Sequence, residues 1–178
     1  MKNRFITFEG IDGSGKTTQA KLLAEHLKNI GTNIILTREP GGSKGGEEIR
    51  NLLVKGEKDR WSPETEILLF TAARRDHFER VVLPGLQNGK TVISDRFHDI
   101  TKVYQGATAA NLAKTIDSLH KLMIPIEPDL TFIIDMEPEL ALCRGLLRKS
   151  GEDRFEEFGL KFQKKLRRGF LQLAKDKN

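Results

Sequence analysis

Apolar and polar residues alternate along Arg4-Phe-Ile-Thr-Phe-Glu9, the period of a β-strand. The period changes directly after a glycine-rich loop. Across Thr18–Lys28, Ala20, Leu23, Ala24 and Leu27 recur at helical spacing. Three further apolar runs, Thr32–Thr37 (TNIILT), Gly89–Asp95 (GKTVISD) and Asp129–Asp135 (DLTFIID), read as buried strands. Helical patterns fill the intervals at Gly46–Val54, Pro63–Leu86, Ala107–Leu122, Glu137–Arg148 and Glu157–Ala174. Apolar strands alternating with helices predict an α/β fold of three layers, a parallel sheet with helices on both faces. Without an internal repeat, low-complexity tract or long linker, the 178 residues read as one domain.

In sheets of this kind ligands sit at the carboxyl ends of the strands. Glu9–Lys16, Arg38-Glu39-Pro40, Asp95-Arg96 and Asp135 all fall there, which predicts a single site. Phe8–Gln19 reads FEGIDGSGKTTQ and sets Gly10, Gly15, Lys16 and Thr17 at the spacing G-x-x-x-x-G-K-[ST]. A phosphate chain is dense negative charge, and glycines let several backbone N–H groups point into one concavity around it. A helix starting immediately afterwards adds free N–H groups and the positive end of its dipole. Lys16 would reach the β- and γ-phosphates, and the Thr17 hydroxyl would ligate Mg²⁺. Asp12, inside the loop, is unfavourable beside phosphates and so calls for a separate role. Asp95 follows an apolar strand and would hold Mg²⁺ directly or through water. Arg96 beside it carries a planar, permanently charged fork suited to a phosphate. Phe70 and Arg74, four apart, share a helix face.

Charge and composition limit the partners. The net charge is +5, and it is uneven: from Arg144 onward there are eleven Lys/Arg against five Asp/Glu, while the rest of the chain is acidic by one unit. A basic C-terminal third suits a solvated helix face or a clamp for nucleotide phosphates. It lacks the aromatic platform of a single-strand binder, so nucleic acid ranks last. No apolar run is long enough to span a membrane, and Met1-Lys-Asn-Arg leads straight into a strand with no signal peptide pattern. The one cysteine, Cys143, excludes an internal disulfide, fits a reducing cytoplasm and reads as a small helix residue. No Cys/His cluster suggests zinc.

Five stretches in order, FEGIDGSGKTTQ, TREPGGSKGGEEIRNLL, LLFTAARRDH, SDRF…YQGA and GEDRFE, together resemble the bacterial type of thymidylate kinase, from about residue 4 to about residue 174. The resemblance implies a P-loop nucleoside monophosphate kinase fold and the reaction ATP + dTMP → ADP + dTDP with Mg²⁺. It implies ATP contacts from Gly10, Ile11, Asp12, Gly13, Ser14, Gly15, Lys16, Thr17 and Thr18, with Arg144 near the nucleotide, and Mg²⁺ held by Thr17 and Asp95. On the acceptor side it implies that Asp12 accepts from the deoxyribose 3′-hydroxyl and that Arg96 grips the dTMP phosphate with Arg38 near it. Phe70 would stack on thymine, an interaction blind to base identity, so Arg74 at the O4 edge would supply base choice. Glu39, followed by Pro40, is implied to lie near Mg²⁺ or its waters, and Thr101, Tyr104 and Gln105 to close over thymine and sugar. With no arginine between Gly10 and Gly15, the resemblance puts the catalytic arginines in a lid at about residues 144–156, Arg148 and Arg154 above all. Arg75 and Asp76 read as structural and Phe97 as core.

Two departures accompany the resemblance. Ile100 stands where serine is common, and four strands are visible where the family adds a fifth, with an adenine-contacting loop and a last helix. Homodimerisation is implied through apolar faces on Pro63–Leu86 and Ala107–Leu122. The competing functions are another nucleoside monophosphate kinase, which Phe70, Arg74 and the REPGG stretch argue against, and a nucleotide-binding protein without turnover. A regulatory GTPase would need an N-K-x-D guanine motif, which the chain lacks.

Overall fold

The computed structural model describes residues 3–57, 59–108, 110–147 and 159–176. Its four strands, β1 (Phe5–Glu9), β2 (Ile34–Arg38), β3 (Thr91–Asp95) and β4 (Leu130–Ile133), form one parallel sheet in the order β2-β3-β1-β4. The sheet and all four strand positions agree with the sequence pattern. Only β1 and β3 lie inside it: β1 is buried at every residue, whereas β2 and β4 are edges and only partly covered. Of the three runs expected to be buried strands, only the interior β3 is one, while β1, expected to alternate, is buried throughout.

Side chains of β1 alternate between the two faces. Ile6 and Phe8 pack with Ile93 against Ala20 and Ala24 of α1 (Lys16–Asn29). Phe5 points the other way, into a cluster with Phe78, Val82, Val92, Phe97 and Ile124. Glu9 shares that second face by the same alternation. Helices thus cover both faces, giving three layers.

Two helix expectations need correction. The single helix expected at Pro63–Leu86 is α3 (Pro63–His77), a π-helical turn over Phe78–Val82 and α4 (Leu83–Gln87). Pro84 has no N–H to donate, and the wider turn, in which the Leu83 N–H bonds the Phe78 carbonyl, accommodates it without breaking the rod. The helix expected at Ala107–Leu122 is the end of α5 (His98–Thr108), a 3₁₀ turn and α6 (Ala113–Met123). Its weak local signal hid most of α5. That helix is held instead by packing: Ile100, Val103 and Tyr104 join Ile11 of the glycine loop, Ala141, and Leu166 and Phe170 in one cluster. Ala141 belongs to α7 (Pro138–Leu146), the last two to α8 (Gly159–Asp176). The remaining helix, α2 (Lys44–Val54), is capped by Ser43 and packs on α3.

Candidate active site

The chain leaves β1 through Gly10 (φ 139°) and Gly13 (φ 82°), and reaches α1 through Gly15 (φ 100°). Space as well as backbone angle demands glycine here. A Cβ on Gly10 would lie 2.4 Å from the Ile134 carbonyl oxygen, and one on Gly13 would lie 1.9 Å from the Ala141 oxygen in α7. Helix α1 starts with no side-chain cap, so the N–H groups of its first turn face the loop. Gly13→Ala is expected to be destabilised by at least about 1–3 kcal/mol from the left-handed backbone alone, with the α7 collision added and a raised KM for the nucleotide. A wild-type melting temperature with unchanged KM would refute this account of the loop.

The Lys16 ammonium folds back into the loop. It donates to the Ile11 carbonyl at 2.8 Å and lies 3.9 Å from Asp12. Asp12 also receives the Arg96 guanidinium on Oδ1 and the Tyr104 hydroxyl on Oδ2 at 2.6 Å. The three groups come from α1, the turn after β3 and α5, so one carboxylate gathers them at the strand ends. Arg96 holds φ at 74°, a conformation non-glycine residues adopt only under external constraint. Its N–H donates to the Phe8 carbonyl at 2.9 Å, and the Arg96 carbonyl accepts from the Ser94 hydroxyl at 2.7 Å.

At the end of β3, the Thr17 hydroxyl donates to Asp95 Oδ2, while Asp95 Oδ1 is buried with no hydrogen-bond partner. A hydroxyl and a carboxylate with an unpaired oxygen are hard oxygen donors, which suit Mg²⁺. Thr17 also stands between two cavities, each about 440 Å³. One is lined by Gly15, Thr17, Thr18, Arg144 and Leu147; the other has Arg38, Glu47 and Asp95 in its walls. Arg144 therefore shares a cavity with the loop. Arg38 donates to both oxygens of Glu47, which also accepts from the Gly42 N–H at 2.9 Å.

Behind this surface runs a buried network. The Arg74 Nε donates to Glu39 at 2.7 Å, and its Nη2 donates to the Phe97 carbonyl and the Thr101 hydroxyl, each at 2.8 Å. His77, fully buried, joins Glu39 at 2.9 Å to Thr37 at 2.7 Å. Burial alone would raise the Glu39 carboxyl; the charge of Arg74 and the hydrogen bond from His77 outweigh it and hold Glu39 below its usual range. Glu39 thus spends its oxygens on Arg74 and His77, whereas the sequence suggested a place near the metal. Pro40 follows through a cis bond, and its carbonyl accepts from Arg50 at 2.7 Å. Phe70 is buried with Leu53 and Val54. Gln105 lies on α5, but its side chain, like Arg148 and Arg154, is outside the described residues.

Arg75 pairs with Glu79, and Asp76 accepts from Ser43 at 2.6 Å, both supporting roles. Three residues of the site were not singled out in the sequence. Glu47 and His77 lie inside stretches quoted for the resemblance, yet nothing local marks one as the clamp on Arg38 or the other as the bridge to Glu39. Glu9 falls at the strand end that the sequence marks as part of the site, but nothing local shows its burial or its bond to Phe97.

The comparisons with known proteins point to one family. A family model described as thymidylate kinase matches residues 8–178. A thymidylate kinase from Dinoroseobacter shibae is 68% identical over 172 residues, covering 97% of this chain and 83% of the relative. One from a Jannaschia strain is 62% identical over 176 residues, covering 99% and 85%. The crystal structure of a thymidylate kinase from Ehrlichia chaffeensis superposes with a TM-score of 0.81 at 42% identity, over 99% of this chain and 89% of that one.

Proposed function

The chain belongs to the thymidylate kinase family and is an ATP-dependent dTMP kinase; from that premise we propose how its residues divide the work. Lys16 and the glycine-loop N–H groups hold the β- and γ-phosphates of ATP, and Arg144 flanks the nucleotide. Arg96, with Arg38, holds the phosphate of dTMP. Phe70 and Arg74 read the thymine, the arginine supplying the base choice that stacking lacks. Thr101, Tyr104 and Gln105 line the nucleoside, and Asp12 takes the 3′-hydroxyl. Arg148 and Arg154 supply further charge from the lid.

One observation carries this reading. Lys16 and Arg96, the cations assigned to the two different phosphates, both lie against Asp12. Two phosphates drawn to them would meet next to each other, the arrangement that transfer between them requires. The acceptor oxygen is already anionic at neutral pH, so no general base is needed, and the chain's task is to align and neutralise. Thr17 and Asp95 would hold Mg²⁺, which supplies charge neutralisation on the donor phosphates when bound. Among the described residues no helix is long and apolar enough to cross a membrane. Exposed Leu68 on α3 and Leu122 on α6 support a homodimer.

Coupled ADP release, with ATP and Mg²⁺ and with dTMP, dUMP, dGMP or dCMP offered in parallel, tests the assignment. Turnover preferring dTMP is expected. Preference for another monophosphate, or ATP hydrolysis that no acceptor stimulates, would overturn it.

A further inference from the structure

Glu9 is the last residue of β1 and the one before Gly10, and it is completely buried. Its Oε1 accepts from the Phe97 N–H at 2.8 Å, and its Oε2 has no hydrogen-bond partner. Phe97 lies between Arg96, with its φ of 74°, and α5, which carries Thr101 and Tyr104. The Arg96 N–H is tied to the carbonyl of Phe8, the residue before Glu9. Two consecutive residues of β1 therefore fasten the two consecutive residues that begin the acceptor segment. The Phe8 bond extends the backbone ladder between β1 and β3, which any residue could make. The Glu9 bond needs a side-chain acceptor of that length at that position.

We propose that Glu9 is a positioning residue for phosphoryl transfer, whose carboxyl ties the phosphate-binding loop to the turn that presents Arg96 to the acceptor phosphate. This rests on the assignment of Arg96 to that phosphate. Glu9 serves as a neutral acid. Burial, reinforced by the charge of Asp99 on α5, pushes its carboxyl up to about 8, against the Phe97 N–H and the charges of Lys16 and Arg96, which pull it down. A neutral Glu9 leaves both cations to the phosphates. An ionised Glu9 would draw on Lys16 and Arg96 in competition with the substrates.

The test compares Glu9→Ala, Glu9→Gln, Arg96→Ala and the double variant Glu9→Ala/Arg96→Ala by steady-state kinetics from pH 6 to 9.5, with melting temperatures and dTMP titration as checks on folding. Glu9→Ala is expected to lose about tenfold to hundredfold in kcat, the scale on which a misplaced reacting group is felt. Glu9→Gln, neutral and of the same shape, should stay within about threefold of wild type at pH 7. Wild type should decline above about pH 8 where Glu9→Gln does not. Because Glu9 acts through Arg96, the double variant should be little worse than Arg96→Ala alone. If Arg96→Ala is harmless, the assignment of Arg96 fails and the inference falls with it. If Arg96→Ala is damaging but the Glu9→Ala loss is absent or fully additive, the assignment stands and Glu9 has no such role. A Glu9→Gln as damaged as Glu9→Ala would overturn the neutral strut in favour of a working carboxylate.

Discussion

Replacing Lys16 with alanine is expected to lower kcat by about 10²–10³-fold, the range seen when one preorganised donor is removed from developing charge. The phosphoryl group passes through a loose transition state, so little covalent help is required and charge neutralisation carries the rate. Lys16 is 5% exposed and already bent into the loop by its bond to the Ile11 carbonyl. Its ammonium is therefore ordered before substrate arrives, and its effect falls on kcat more than on binding. The fold should tolerate the loss. Asp12 keeps Arg96 and Tyr104, so no buried carboxylate is abandoned. Lys16→Arg should fail as well, because a planar fork cannot take the place of a compact ammonium inside the loop. Steady-state kinetics, with calorimetric titration of dTMP, decides it. A kcat within about threefold of wild type would remove Lys16 from the reaction.

The loop containing Lys16 was legible because every element of its function is local. Glycines at positive φ, a lysine and a helix start follow one another within eight residues, Gly10–Thr17. The partner of Asp12 was not readable in the same way. Arg96 lies 84 positions away and reaches it only because β1 and β3 are neighbours in the sheet. Apolar periodicity located all four strands, but their order and the exposed character of β2 and β4 depend on which strand stands beside which. Helix α5 was largely missed for the same reason: its support comes from α8, far along the chain. The buried roles of Glu39 and His77 lie furthest from the sequence, since an Arg-Glu-Pro at a strand end reads as readily toward the metal as toward the core.

That buried network yields a prediction in which stability and activity separate. Glu39→Ala leaves the Arg74 guanidinium, 3% exposed, without its carboxylate. Breaking a buried pair this way costs about 3–5 kcal/mol, or roughly 6–20 °C of melting temperature for a domain of this size. Arg74→Met should cost less, although it breaks the same pair. An arginine cannot shed its charge in a protein, whereas Glu39 can take up a proton or share one with His77 at 2.9 Å. The dependence on pH follows. Glu39 is held below its usual 4.5, so its contribution to stability is present above that pH and is lost as pH falls through the lower folded value. Without Arg74 the carboxyl is held less low, and the loss should begin at higher pH. Activity should order the other way. Arg74→Met removes the proposed reader of the thymine, and discrimination between dTMP and dCMP should fall most there, while what folded Glu39→Ala remains keeps the arginine. Melting curves from pH 3 to 7, with kcat/KM ratios for the two nucleotides, test both orders together. An Arg74→Met protein less stable than Glu39→Ala would mean that the carboxylate cannot be neutralised in place, and that the network depends on the full Arg74–Glu39–His77 set.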